Sequence, residues 1–286
     1  MLTLKQRIGV DVLGDVAIEE ALGWAGEHGF HFLDFCADHP VHHLFSFDAD
    51  RARKVRELCE RHDVRLGLHT LSGMNVAEFS PYVAEAVDEY LKAYVDLADR
   101  LSCGWIVVHA GYHFTADHKR RREASLTHLR RAVGHAEKSG VTLLLENMNR
   151  EPADAEVQYL ATTLEECQLY FREIQSERLG WSFTVNHAHM EPEGIDGFLD
   201  GLPLDRCREV RLADNLGDRE AHLKPGEGNI DFARLFARLE GAGYADHYAL
   251  AFGTLEDMRL GRDYLVAKAQ AWGLSRRSGG DSEIRL

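Results

Sequence analysis

The chain has 286 residues, of which 45% are hydrophobic and 28% are charged, and its formal net charge is −14. These values are typical of a soluble globular protein and exclude a fibrous or low-complexity chain. The negative charge also argues against a nucleic acid as partner, because binding to a polyanion depends largely on neutralising its phosphates.

The sequence contains no segment that resembles a membrane anchor. The first residues, MLTLKQRIGV, lack the apolar run of a secretion signal, and no later run reaches the roughly 18 apolar residues of a membrane span. The five cysteines are scattered and form no Cys-x-x-Cys pair, which favours a reducing compartment. We therefore expect a cytoplasmic protein that has no membrane partner.

Short apolar runs alternate with longer amphipathic runs along the chain. The candidate strands are residues 7–13, 30–37, 64–70, 105–111, 141–148, 179–186, 208–215 and 248–253. Several of them are hydrophobic almost throughout, as strands buried on both faces of a parallel sheet are. Helical spacing of apolar residues is clearest over 80–101, where Ser80 is a candidate N-cap, and recurs over 48–62 and 231–244.

Eight strands that alternate with helices predict an α/β fold, a single (β/α)8 TIM barrel over residues 1–274. Residues 275–286, SRRSGGDSEIRL, are polar and predict a flexible C-terminal tail. A doubly wound open sheet is the alternative fold. The count of eight strands, and the lack of a glycine-rich phosphate fingerprint after the first strand, favour the barrel.

Polar side chains stand at the ends of five consecutive predicted strands, from the third to the seventh. In a barrel these ends line the active site. One histidine at a strand end is more often a hydrogen-bonded structural residue, but five such strands in a row predict a polar pocket at the barrel mouth. The residues are His69, His109, Glu146, Asn147, Asn186, His187, His189, Arg211, Asp214 and Asn215.

Histidine and glutamate in this pocket are suitable ligands for a divalent metal such as Zn²⁺, Mn²⁺ or Mg²⁺. One candidate set is His69, His109 and Glu146, which would leave a coordination position open. A second candidate set is His189 with Glu220 and His222. The alternative is a metal-free pocket in which these residues hydrogen-bond a polyhydroxylated ligand directly.

Six motifs resemble the xylose isomerase-like TIM-barrel superfamily in order and spacing. They are GLHT (67–70), VVHAG (107–111), LLLEN (143–147), NHAH (186–189), LADN (212–215) and HLKPGEGNIDF (222–232). The superfamily includes sugar isomerases and epimerases, and also endonuclease IV. For the isomerases the resemblance implies one metal ion held from strands 5 to 8, and two carboxylates that move a proton next to a carbonyl.

The sequence departs from that pattern at the central metal. Glu146 matches the strand 5 ligand, but Asn186, Arg211 and Ala251 stand where an aspartate, a histidine and a glutamate are expected. The resemblance to endonuclease IV places His69, His109 and Glu146 at its first zinc, and His189, Glu220 and His222 at its third. The second zinc falls on the three replaced positions.

We therefore expect a sugar or keto-sugar isomerase, epimerase or related lyase with a degenerate metal site. Glu146 is the expected general base, Arg211 is expected to pair with Glu146 or to bind an anionic ligand group, and the resemblance implies a homodimer. A non-catalytic barrel that binds a carbohydrate or acidic metabolite is the alternative, and an endonuclease IV-like hydrolase is a remote one. The expected substrate contacts are His69, His109, Asn147, Asn186, His189 and Arg211.

Overall fold

The computed structural model describes residues 2–12 and 16–277 and shows a closed barrel of eight parallel strands. Each strand pairs with the next along the chain, and the first pairs with the last. The predicted (β/α)8 barrel is confirmed and the open sheet is excluded. The strands are β1 (Ile8–Val12), β2 (Phe32–Phe35), β3 (Arg65–His69), β4 (Trp105–Val108), β5 (Thr142–Glu146), β6 (Leu179–Thr184), β7 (Cys207–Leu212) and β8 (His247–Leu250).

Helices surround the barrel. The helices that the sequence predicts are present. Ser80 is the N-cap residue of the helix Pro81–Leu101, and Gly241 is the last residue of the helix Phe232–Gly241. The α-helices are α1 (Leu4–Arg7), α2 (Ile18–Glu27), α3 (Ala49–His62), α4 (Pro81–Leu101), α5 (His118–Ser139), α6 (Leu164–Glu173), α7 (Val185–His189), α8 (Gly194–Gly201), α9 (Phe232–Gly241) and α10 (Leu255–Arg277). A separate two-stranded sheet pairs Tyr112–His113 with Gln158–Tyr159.

The outward faces of the strands and the inner faces of the helices form the main hydrophobic core. Residues such as Val10, Leu68 and Phe183 point outward from their strands and are fully buried there. The strands are thus covered by helices on one side and by one another's side chains on the other, as their apolar sequences predict.

The inside of the barrel is mostly polar in the half that lies towards the carboxyl ends of the strands. A small apolar cluster of Phe32, Trp105, Val107 and Leu144 lies inside the barrel, apart from the main core. Nearer the carboxyl ends of the strands, the inward positions carry charged and hydroxyl side chains. These are Asp11, Asp34, Glu146, Ser182, Thr184, Glu209 and Arg211, all of them buried.

Helix α10 continues to Arg277, three residues past the predicted end of the barrel at 274. The rest of the predicted tail, 278–286, lies outside the described residues. Among the described helices, none is both long and apolar enough to cross a membrane.

Candidate active site

His69, His109 and Glu146 meet at the carboxyl ends of β3, β4 and β5. The Nε2 atoms of the two histidines are 3.2 Å apart, and Glu146 Oε2 lies 3.0 Å from His109 Nε2 and 3.3 Å from His69 Nε2. Ligands bound about 2.0–2.1 Å from a zinc ion stand about 3.3 Å from one another in a tetrahedron. The three atoms are therefore spaced like three corners of a tetrahedral zinc site.

The outer nitrogens of both imidazoles are held in the way that metal ligands require. His69 Nδ1 donates to Asp11 Oδ2 at 3.0 Å, and His109 Nδ1 donates to the Thr70 hydroxyl at 3.2 Å. Thr70 donates its own proton to the carbonyl of Val107, so its oxygen is left to accept. The Nε2 atoms of both rings therefore face Glu146, an arrangement typical of histidines that bind metal.

The charges of this cluster are set by its neighbours. Burial disfavours ionisation of Glu146, but His109, His69 and Arg211 outweigh it and hold the pKa of Glu146 well below its usual range. Burial and Arg211 oppose protonation of His69, yet Asp11 and Glu146 raise its pKa to about 9. Burial lowers the pKa of His109. Glu146 is thus an ionised carboxylate beside one imidazole that readily takes a positive charge.

A second cluster, His187, Glu220 and His222, lies beside the first. Glu220 Oε1 is 3.3 Å from His187 Nε2 and 2.8 Å from His222 Nε2. His187 donates its Nδ1 proton to the carbonyl of Asn147 at 2.7 Å, and His222 donates to the carbonyl of Ala251. Both Nε2 atoms again converge on one carboxylate, so this set could also hold a metal ion.

The expected second set named His189 in place of His187, and the structure corrects this. His189 Nε2 lies 2.6 Å from Asn229 Oδ1 and does not reach Glu220. Residues 185–189 form the helical turn α7 directly after β6, so the two histidines leave the backbone in different directions.

Asn186 and Glu220 occupy the region where the usual central metal ligands are missing. Asn186 is 1% exposed, donates to Glu220 Oε1 at 3.2 Å and leaves its own Oδ1 without a partner among the described residues. Glu220 and His222 lie in the loop after β7. His222 contacts Glu220 with one ring nitrogen and the carbonyl of Ala251, just after β8, with the other. His222 thus connects a carboxylate to Ala251, although β8 itself supplies none.

Arg211 contacts Glu146 at the mouth more loosely than expected, and its other ion pairs lie inside the barrel. It is 2% exposed, and its guanidinium points into the barrel, where it binds Asp11, Asp34 at 3.2 Å and Glu209 at 3.0 Å. Its Nε is 3.9 Å from Glu146 Oε1, which is an ion pair but not the expected bidentate one. Arg211 is therefore committed to neutralising buried acids, because four carboxylates surround one guanidinium.

Asn147 is also placed differently from its expected role as a substrate contact. It is 1% exposed, and its side chain donates to the carbonyl of Thr184 and accepts from the Thr184 amide and from Trp181 Nε1. These bonds fasten β6 to β5, so Asn147 supports the site from behind.

Sequence reasoning missed several residues that shape the site. His187 was recognised as a strand-end residue but was left out of both metal sets. Asp11 and Glu209 are not among the residues predicted from the sequence to line the pocket. A lone charge inside an otherwise apolar strand was the available signal, because such a charge needs a buried partner.

The third group that could hold a metal by its geometry comprises Asp34, Glu209 and His247. His247 Nε2 is 3.0 Å from Glu209 Oε2. Arg211 already contacts both carboxylates of this group, so a positive charge is in place there without an ion.

Comparisons with known proteins agree with the fold. A family model described as xylose isomerase-like TIM barrel matches residues 22–268. An uncharacterized protein of Methanocaldococcus jannaschii, MJ1311, is 28% identical over 199 residues, which are 66% of this chain and 65% of that protein.

Solved structures share the fold over nearly the whole chain. A D-tagatose 3-epimerase-like protein superposes with a TM-score of 0.81 at 23% identity, covering 94% of this chain and 99% of its own. An L-ribulose 3-epimerase gives 0.77 at 17% identity, covering 97% and 99%. An AP endonuclease, family 2, from Brucella melitensis gives 0.73 at 18% identity, covering 92% and 98%. At these identities the likeness shows the fold, and with the family match it establishes that this chain belongs to the xylose isomerase-like TIM-barrel family.

Proposed function

We propose that the protein is an isomerase or epimerase of a sugar or keto-sugar, which moves a proton at the carbon next to a carbonyl. The observation that carries the proposal is a pair of carboxylates at the mouth, Glu146 and Glu220, which both approach one imidazole. His187 Nδ1 lies 3.7 Å from Glu146 Oε1, and His187 Nε2 lies 3.3 Å from Glu220 Oε1. Proton transfer on and off a carbon requires such positioned acid and base groups.

Glu146 is the proposed base. Its Oε1 accepts a hydrogen bond from Thr184, which fixes the carboxylate plane, and its Oε2 faces His69 and His109. Glu220 is the proposed partner carboxylate, because His222 connects it to the Ala251 carbonyl, at the strand end where the resemblance to sugar isomerases leads us to expect a carboxylate. His187 and His222 hold the pKa of Glu220 at about 2 despite its burial, so it is ionised at neutral pH.

The charge balance inside the barrel supports a divalent metal on His69, His109 and Glu146. Burial and the neighbouring Glu209 raise the pKa of Asp34 well above its usual range. Four carboxyl groups, those of Asp11, Asp34, Glu146 and Glu209, lie around the single guanidinium of Arg211, so acids outnumber arginines there and a divalent cation would add positive charge. When bound, such an ion polarises a carbonyl oxygen. Nitrogen donors favour zinc or manganese over magnesium.

The loss of central ligands favours a second candidate, a barrel that binds a carbohydrate or acidic metabolite without turning it over. Ala251 and the fully engaged Arg211 support it, because neither can hold a metal at the family's usual position. For either candidate we propose a small sugar or keto-acid ligand, a cytoplasmic location and no nucleic-acid partner, given the net charge of −14.

Deuterium exchange separates the two candidates. Purified protein with added zinc or manganese is incubated in D₂O with D-tagatose, L-ribulose and D-fructose, and NMR follows deuterium at the carbons next to the carbonyl. We expect exchange in the wild type and a loss of about 10²-fold or more in Glu146→Gln and Glu220→Gln, the range that general acid–base catalysis supplies. Glu256→Gln is the matched control, because that exposed carboxylate opens α10 and pairs with Arg259.

Two outcomes would contradict the proposed enzyme. Sugar binding without exchange in the wild type would support the binding protein instead. Exchange that proceeds equally fast in Glu146→Gln would refute Glu146 as the base.

A further inference from the structure

We propose that Asp11 is a positioning residue that fixes the His69 ring and strengthens divalent-metal binding by His69, His109 and Glu146. The inference rests on the proposed function, because it assumes that this set holds a metal. It gives a residue of β1 a role in a site whose proposed ligands come from the ends of β3, β4 and β5.

The geometry places one carboxylate oxygen behind the ligand. Asp11 is 2% exposed, and its Oδ2 accepts from His69 Nδ1 at 3.0 Å and also from the Arg211 guanidinium. A carboxylate can only accept, so the proton of the neutral His69 ring stays on Nδ1 and the lone pair stays on Nε2. That lone pair faces His109 Nε2 and Glu146 Oε2, where a metal would stand.

A carboxylate behind a ligating imidazole also makes the imidazole a more basic ligand. The Arg211 guanidinium binds the same Asp11 oxygen that accepts from His69, so Asp11 connects Arg211 to the His69 ring. Arg211 thereby influences the position of the His69 ring indirectly, through its contact with Asp11. Loss of such an outer partner typically costs about 10–100-fold in metal affinity.

Asp34 provides a matched control. It stands directly beside Asp11 in the β1–β2 pairing, is 1% exposed and contacts the same guanidinium at 3.2 Å, but it does not touch His69. Asp34→Asn therefore makes the same chemical change, next to the same arginine, without removing the histidine contact.

The test measures zinc affinity of the full-length protein by competition with a chromophoric chelator. All variants carry His222→Ala, so that the neighbouring His187 set does not contribute. We expect Asp11→Asn to bind zinc about 10–100-fold more weakly than its parent, and Asp34→Asn to stay within about threefold. Urea unfolding in EDTA checks that the variants are folded before metal is added.

The outcomes distinguish this inference from the proposed function. Zinc that is bound by the parent and lost in His109→Ala, but bound equally well by Asp11→Asn, would overturn the inference alone. An equal loss in Asp34→Asn would overturn it too, because the effect would then not depend on the contact with His69. A parent that binds no zinc at His109 would overturn both.

A spectroscopic measurement covers the case in which Asp11→Asn does not fold. In zinc-loaded protein, ¹⁵N NMR of labelled histidine, assigned with His69→Gln, should show the His69 proton on Nδ1. A proton on Nε2 would overturn the inference.

Discussion

Replacing Arg211 with methionine should destabilise the barrel strongly at neutral pH. Methionine keeps an unbranched, largely apolar side chain but removes the charge that lies against Asp11, Asp34 and Glu209. Arg211 is 2% exposed, so water cannot solvate the acids in its place. Breaking a buried ion pair by removing one partner typically costs about 3–5 kcal/mol, and we expect a loss in that range at pH 7.5.

The same substitution should also change how the free energy of unfolding depends on pH. Without Arg211 the buried carboxyl groups have pKa values above those of the unfolded chain, so the folded state binds more protons and gains stability as pH falls. Urea unfolding followed by circular dichroism at pH 7.5 and 5.5 should therefore show a smaller loss at pH 5.5. The control is Arg262→Met, which removes a buried guanidinium that donates to the carbonyls of Gly29 and His28.

Three results would refute this reasoning. One is a loss of unfolding free energy below about 1 kcal/mol at pH 7.5, which would mean that the stability does not depend on the charge of Arg211. Another is an equal loss at both pH values, as expected for Arg262→Met. The third is a variant that is unfolded at pH 5.5 as well as at pH 7.5.

Further expectations concern acid stability, packing and metal removal. His42 is fully buried without a hydrogen-bond partner among the described residues, and burial lowers its pKa from 6.5 to about 4. The unfolded chain takes up this proton below pH 6.5 and the folded chain only near pH 4, so stability should fall by up to about 3 kcal/mol between them. When the free energy of unfolding is measured by urea titration at several pH values, His42→Phe should lose less stability between pH 6.5 and pH 4 than the wild type. An equal loss in both proteins would contradict the role of His42. Gly67→Ala should cost about 1–3 kcal/mol, because its Cβ would lie 2.3 Å from Trp105 Nε1 and 2.5 Å from Asp34 Oδ1. Gly104→Ala, with nothing within 4 Å, should melt like the wild type, and equal melting of the two variants would count against the packing argument. Zinc at 100 times its Kd should stabilise the protein by about 2.7 kcal/mol, or about 5 °C in Tm, and EDTA should reverse this. A melting curve that responds to neither would contradict the metal site.

The sequence was sufficient to predict the barrel and the convergence of His69, His109 and Glu146 at one end of it. Apolar runs that alternate with amphipathic helices determine the order of elements, and parallel strands bring His69, His109 and Glu146 to one end. Their convergence follows from topology, because each of them ends or closely follows its own strand.

The second set could not be assigned in the same way. In a strand His187 and His189 would share a face, whereas in the turn α7 they are separated by about 200° around the helix axis. The change from strand to helix occurs within one residue, at Val185, and no local signal in the sequence marks it.

The interior ion network depends on contacts that no single strand reveals. Glu209 and Arg211 are two residues apart and therefore share the inward face of β7, which is readable from the sequence. That Arg211 turns away from the mouth, towards Asp11 and Asp34, depends on the acids supplied by β1 and β2. Their presence inside the barrel explains why an arginine replaces the expected histidine without facing the ligand.

This network has a consequence for how the chain reaches its folded state. Arg211 follows Asp11 by 200 residues and Asp34 by 177 residues. The first two strands therefore carry acids whose arginine partner is made last but one among the eight strands, and burying them without it would cost several kcal/mol. We therefore expect closure of the barrel to be a late, cooperative step of folding that waits for β7.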